Sequence, residues 1–222
     1  MLTEELLFPT PIWWTELGLN VEDLTSLCYK MRDESTDSSQ RSNLGGWQSI
    51  DMDGEAMLSN PDSFGELARA IKNVGVDVHN KFRPHGTTVR LANIWININK
   101  GEDLNITHTH PGSVVSGVYY VKTPPDCGRI SFHRDHHSSF CFASAGAMMS
   151  ACEGGEDTPW MWSQFSYPPI HDRLMLFPAW LAHGVEPGKP GIEDRISISF
   201  NLVPEYSDKE AYYGGVTQHH GV

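Results

Sequence analysis

Two histidines two residues apart, His108 and His110, are followed far along the chain by His183 and then by Arg195-Ile196-Ser197. In an extended segment, residues i and i+2 point to one face with Cα atoms about 6.6 Å apart, so both imidazoles can reach one ion. A third nitrogen from another strand completes a facial triad, leaving the other metal positions open for a bidentate ligand and dioxygen. Such a set describes a non-haem iron site that activates dioxygen. His183 follows Leu176-Phe177-Pro178-Ala179-Trp180, an apolar run that would bury it, and a buried imidazole needs a partner. Arg195, Ser197 and Ser199 alternate with Ile196, Ile198 and Phe200. In a barrel interior that guanidinium requires a carboxylate, which the far end of the bidentate ligand would supply. The competing reading is a surface ion pair with Glu193 or Asp194.

A sheet must position these groups. After residue 86 the chain alternates with period two. In Thr87 to Lys100, Ile94, Ile96 and Ile98 share one face, and Asn93, Trp95, Asn97 and Asn99 share the other. Short strand candidates follow at 105–110, 114–122, 129–133, 139–143, 173–177, 181–186 and 195–203, which implies an antiparallel sandwich or closed barrel. Upstream, Phe8 to Trp14 is a proline-broken apolar segment suited to an edge strand. Residues 21–33 carry Val21, Leu24, Leu27, Cys28 and Met31 at helical spacing, and 34–46 reads as a loop. A second helix from near Asp62-Ser63 to about Phe82 has an apolar stripe of Leu67, Ala68, Ile71, Val74 and Val78, with Pro84 ending it. Two such helices can cover one sheet face. The segment 144–170 breaks the alternation and is expected to be a lid or substrate wall, with an extension of the sheet as the alternative. The expected organisation is one domain: residues 1–86 as support, 87–203 as the β core with its 144–170 insertion, and 204–222 as a tail.

Composition narrows the class. A formal charge of −12 argues against phosphate-backbone binding as the main activity. No apolar run approaches the roughly 18 residues of a membrane span. The amino terminus lacks the features of a signal peptide, and the four cysteines form no CxxC pair, so free thiols in the cytoplasm are expected.

The second half resembles the 2-oxoglutarate- and Fe(II)-dependent oxygenases, and within them it is similar to oxygenases of marine bacteria and their phages. Three pieces carry the likeness. The first is His108-Thr109-His110-Pro111-Gly112-Ser113 leading into Ser116-Gly117-Val118-Tyr119-Tyr120-Val121. The second is Gly128-Arg129-Ile130-Ser131-Phe132, and the third is Asp172 to Val185 closing with Arg195 to Asn201. Prolyl hydroxylases show the same order of events over the span 88–203. The resemblance implies a mainly β fold, a double-stranded β-helix of jelly-roll or cupin-like type with the N-terminal helices packed on the outer sheet. It implies Fe(II) on His108, His110 and His183, with 2-oxoglutarate and O2 as co-substrates and hydroxylation as the outcome. Arg195 and Ser197 would grip the distal carboxylate, and Tyr120 would touch the co-substrate. One departure stands out: the family usually has His-x-Asp or His-x-Glu where this chain has His110. Either His110 is the third ligand or a carboxylate such as Asp135 moves in; i, i+2 geometry favours His110.

Tyr119 and Tyr120 point to opposite strand faces, so only one can line the interior. Asn97 and Asn99 are candidates to bond the co-substrate if their face is interior, and are solvated otherwise. The His133–His137 cluster reads as a solvated turn. A direct three-histidine dioxygenase that does not use 2-oxoglutarate, and a non-catalytic metal-binding module, are the rival functions. The expected substrate is a small molecule or a peptide, with a homodimer admissible.

Overall fold

The computed structural model describes residues 9–39, 41–82, 87–134 and 162–206. Among these, the chain opens with β1 (Trp13–Glu16) and α1 (Val21–Glu34). Then come three two-residue strands, β2 (Asn43–Leu44), β3 (Trp47–Gln48) and β4 (Met52–Asp53), a short α2 (Gly54–Met57), and α3 (Ser63–Phe82). The β core follows as β5 (Thr87–Asn99), β6 (Leu104–His108), β7 (Val115–Lys122), β8 (Ile130–His133), β9 (Gln164–Tyr167), β10 (Arg173–Pro178), β11 (His183–Val185) and β12 (Arg195–Tyr206).

These strands form two antiparallel sheets. The larger runs β1-β10-β7-β12-β5-β3, with β4 also on β5; the smaller runs β2-β6-β11-β8-β9. Non-consecutive neighbours throughout, such as β12 between β5 and β7, are the topology of a double-stranded β-helix. The period-two strands bury both faces. Ile94, Ile96, Ile98, Ile196, Ile198 and Phe200 point outward from the barrel and meet Leu24, Cys28, Leu67, Ala68 and Ile71 of α1 and α3. That layer is the main core, and burial of each such side chain contributes about 1.5–3 kcal/mol. The opposite face meets the smaller sheet, where Val118, Tyr120, Met175 and Phe177 pack on Ile130, Phe132 and Leu181.

Both long helices form where the spacing places them. α1 is capped by Asn20, whose side chain accepts from the Asp23 N–H. Of the Phe8–Trp14 segment, Phe8 lies outside the described residues and only Trp13 and Trp14 enter β1, which is an edge strand on β10. Other boundaries shift. Residues 34–46 contain β2, and β9 lies within 144–170, so the described end of that segment extends the smaller sheet. Its residues 144–161, the strand candidate 139–143, and Asp135 lie outside the described residues. β12 runs past 203 to Tyr206 because Pro204, Glu205 and Tyr206 still pair with Val89, Thr88 and Thr87. Among the described residues, no helix is long and apolar enough to cross a membrane.

Candidate metal centre

Two strand ends and the turn that follows one of them bring the histidines together. β11 pairs with β6 so that His183 sits directly opposite His108. His110 lies beyond the end of β6, not within the strand as the 105–110 candidate required. Its N–H donates to the Ala179 carbonyl at 2.9 Å, which turns the chain back over the barrel mouth. The imidazoles converge nonetheless: one nitrogen from each of His108, His110 and His183 lies within 4.8 Å of the other two.

The ring orientations suit a metal. Nδ1 of His108 faces the Ile106 carbonyl and Nδ1 of His183 faces the Leu181 carbonyl, both at 2.8 Å. A carbonyl only accepts, so each Nδ1 carries the proton and each Nε2 presents a bare lone pair. Nε2 of His110 and of His183 are 3.2 Å apart. Two imidazole nitrogens bound at right angles, each about 2.1 Å from an ion, would be about 3.0 Å apart. Burial is the main force holding the His183 imidazole down to about 3, with the neighbouring His108 adding to it. Burial, then His108, lower His110 to about 4 against the opposing pull of Asp51. Burial lowers His108 too. All three are therefore neutral ligands at neutral pH.

A narrow cavity runs from the histidines between the sheets to Arg195. Asn97, Gly117, Tyr120, Ser197 and Ser199 are among its walls. Arg195 is 3% exposed. Its Nη1 donates to the Gly128 carbonyl at 3.1 Å and its Nη2 to Asn99 Oδ1 at 2.9 Å, while Nε has no partner. Both acceptors are neutral. Burial disfavours the charged guanidinium, but an arginine remains protonated. A buried cation with a donor unused and, among the described residues, no carboxylate bonded to it fits the anionic end of a bound co-substrate. Three neutral imidazoles at one end of the cavity and this guanidinium at the other fit Fe(II) with 2-oxoglutarate.

Of the residues singled out from sequence, His108, His110, His183, Arg195, Ser197, Tyr120 and Asn97 all line this cavity. Tyr119 faces outward, where its hydroxyl donates to Asp172 at 2.6 Å. Asn99 is buried as expected but holds Arg195 instead of facing the cavity. Asn97 Nδ2 donates to Ser199 Oγ, and its Oδ1 has no partner. Exchanging the two amide ends would still satisfy Ser199 and would turn an N–H toward the cavity.

Above the histidines opens a cleft of about 570 Å³, walled by Arg41, Gln48, Asn93, Trp95, Ile106 and His110 among others. Gln48, Arg41 and the nearby Asp51 escaped the sequence reading. Asp51 is held by Arg41 at 2.8 Å and Asn93 at 2.9 Å. They come from a polar stretch without periodicity, and only pairing of β3 with β5 sets Gln48 against Asn97.

Comparison with known proteins bears on the fold and on the β core. Residues 93–201 match the family described as "Putative 2OG-Fe(II) oxygenase". That match spans the β core, just under half of the chain, and makes it similar to the 2-oxoglutarate- and Fe(II)-dependent oxygenases, a class of oxidoreductases that use Fe(II) and 2-oxoglutarate. Among solved structures, a prolyl-4-hydroxylase from Pseudomonas putida aligns with a TM-score of 0.58 at 12% identity, covering 87% of this chain and 92% of that one. HygX from Streptomyces hygroscopicus, with nickel and 2-oxoglutarate bound, aligns at 0.54 and 12%, covering 87% and 83%. The viral collagen prolyl hydroxylase of Paramecium Bursaria Chlorella virus-1, in complex with 2-oxoglutarate, aligns at 0.52 and 11%, covering 86% and 94%. At these identities the likeness is one of fold, the double-stranded β-helix. No curated protein matches the sequence.

Proposed function

We propose that the chain is a hydroxylase of a small molecule or peptide, using Fe(II) on His108, His110 and His183 and 2-oxoglutarate anchored by Arg195. The observation that carries this is the buried guanidinium, bonded among the described residues only to neutral oxygens, at the far end of the cavity that begins at the histidines. A direct three-histidine dioxygenase has no use for that cation, and neither has a non-catalytic metal-binding module.

Each group has a role that its surroundings support. The carbonyls of Ile106 and Leu181 hold His108 and His183 with Nε2 aimed inward. Arg195 and Ser197 bind the distal carboxylate, and an N–H of Asn97 and the Tyr120 side chain contact the co-substrate along its length. When bound, the metal would activate dioxygen, the oxidant: one oxygen atom would enter the substrate C–H bond and the other the succinate formed as 2-oxoglutarate loses CO2. Phe177, Phe132 and Val118 keep the inter-sheet space apolar, which strengthens every charged contact within it. The substrate enters the cleft beside His110, where Trp95, Gln48 and Arg41 offer a flat ring, an amide and a charge. The net negative charge disfavours nucleic acid as that substrate. Nearer kinship with oxygenases of marine bacteria and their phages is part of the same proposal and rests on the three sequence pieces.

Anaerobic titration of the Fe(II)-loaded protein with 2-oxoglutarate, followed by succinate measurement in air, tests the assignment. A charge-transfer absorbance and succinate production are expected. Absence of both would refute the use of 2-oxoglutarate.

A further inference from the structure

Arg195 is held by a relay of amides that begins outside the matched core. The backbone carbonyl of Gly45 accepts from Asn43 Nδ2 at 2.7 Å. Asn43 Oδ1 accepts from Asn99 Nδ2 at 2.9 Å, and Asn99 Oδ1 accepts from Arg195 Nη2 at 2.9 Å. Asn43, Asn99 and Arg195 are each 3% exposed. An amide can ordinarily be turned end for end, but here both termini have fixed polarity: a carbonyl only accepts and a guanidinium only donates. Turning either asparagine would set two donors or two acceptors face to face in a buried place, at a cost of about 1–3 kcal/mol for each group left unpaired. One arrangement therefore satisfies the chain, and it fixes where the guanidinium plane points.

The backbone is shaped for this relay. Gly45 and Gly46 have φ of 77° and 58°, in the left-handed region that favours glycine. A Cβ at Gly46 would lie 2.7 Å from Asn99 Nδ2. Asn43 belongs to the smaller sheet through β6, and Asn99 to the larger sheet as the register partner of Arg195. The relay thus spans the two sheets at the Arg195 end of the cavity. Its chemistry also matters, because an amide oxygen orients a guanidinium without cancelling its charge, whereas a carboxylate at position 99 would compete with an incoming anion.

We propose that Asn43, acting through Asn99, is a positioning residue that sets the Arg195 guanidinium and so selects a 2-oxo diacid over 2-oxo acids lacking a distal carboxylate. This rests on Arg195 being the anchor of that carboxylate.

The test is calorimetric titration of the full-length, Ni(II)-loaded protein with 2-oxoglutarate and, separately, 2-oxobutyrate. Wild type should prefer 2-oxoglutarate strongly. Asn43→Leu should weaken 2-oxoglutarate binding about tenfold, the scale on which outer-shell partners act, and leave 2-oxobutyrate unchanged. Asn43→Asp keeps the acceptor for Asn99 but sets a carboxylate oxygen against the Gly45 carbonyl, so it should recover only part of the loss. Asn99→Asp is isosteric, so it remains informative if Asn43→Leu fails to fold; it should lower the preference at least as much. A folded Asn43→Leu or Asn99→Asp protein whose preference equals that of wild type, or which loses both ligands alike, overturns the proposal. A wild type with no preference between the two acids overturns the Arg195 assignment itself, and the relay with it.

Discussion

Replacing Arg195 by alanine should abolish productive co-substrate binding while sparing the metal. The side chain is 3% exposed, and its hydrogen bonds go to Gly128 O and Asn99 Oδ1. With no carboxylate among the described residues bonded to the cation, its charge is available to a ligand. A guanidinium–carboxylate contact at this depth is charge-assisted, and truncating one partner of such a pair costs roughly 3–5 kcal/mol. At a factor of ten per about 1.4 kcal/mol, the 2-oxoglutarate Kd should rise at least about a hundredfold. Arg195→Lys should recover only part of this, because an ammonium cannot reproduce the planar two-point grip. The histidines stand at the other end of the cavity, so bound metal should stay near one ion per chain in both variants. The assay is the anaerobic absorbance titration, with metal content measured on the same samples. A wild-type response that survives Arg195→Ala intact would refute the reasoning and move the anchor elsewhere in the cavity, with Asn97, Ser197 and Tyr120 the next candidates.

Other consequences follow from the same geometry. His183→Ala should abolish binding of a first-row divalent ion, whereas His110→Asp, which recreates the commoner family pattern, should keep metal and decarboxylation; His108→Asp should not. Equal behaviour of the two aspartate variants in metal analysis would remove His110 from the ligand set. The apparent metal affinity should change less than about twofold between pH 8 and pH 6, because His110 and His183, lowered to about 4 and about 3, remain unprotonated there. Two ordinary imidazoles titrating near 6.5 would lose about 16-fold over that interval, so a loss of that size in a competition titration would contradict the buried-ligand geometry. Asp172→Ala should cost about 3 kcal/mol in urea unfolding, since its carboxylate accepts from Gly18 N–H, Leu19 N–H and the buried Tyr119 hydroxyl. An unchanged midpoint would show those bonds to be replaceable by water. Gly117→Ala should destabilise by about 1–3 kcal/mol on thermal unfolding, because the added Cβ would lie 2.5 Å from the Met175 carbonyl oxygen and 2.3 Å from Phe200 Cζ; wild-type stability would mean that the strand yields freely.

The chemistry and the strand faces were legible in the chain itself. Side-chain direction in a strand alternates by geometry, so Arg195, Ser197 and Ser199 had to share a face opposite Ile196, Ile198 and Phe200, and Asn97 had to lie opposite Ile96 and Ile98. The two long helices followed from apolar spacing for the same local reason. Tertiary structure decided which face became the barrel interior, because α1 and α3 cover the isoleucine face and the smaller sheet closes over the other. Pairing across 75 residues placed His183 opposite His108. His110 reached the histidine cluster from beyond the strand end, through its backbone bond to Ala179, and not by the strand-face geometry of the i, i+2 rule. Asn99 shows the same limit: parity made it polar and interior, yet only the approach of Asn43, 56 positions away, turned its amide toward Arg195. Alternation is a property of the local backbone and is written in neighbouring residues. Contacts between sheets depend on how distant strands pair, and no local pattern of residues carries that information.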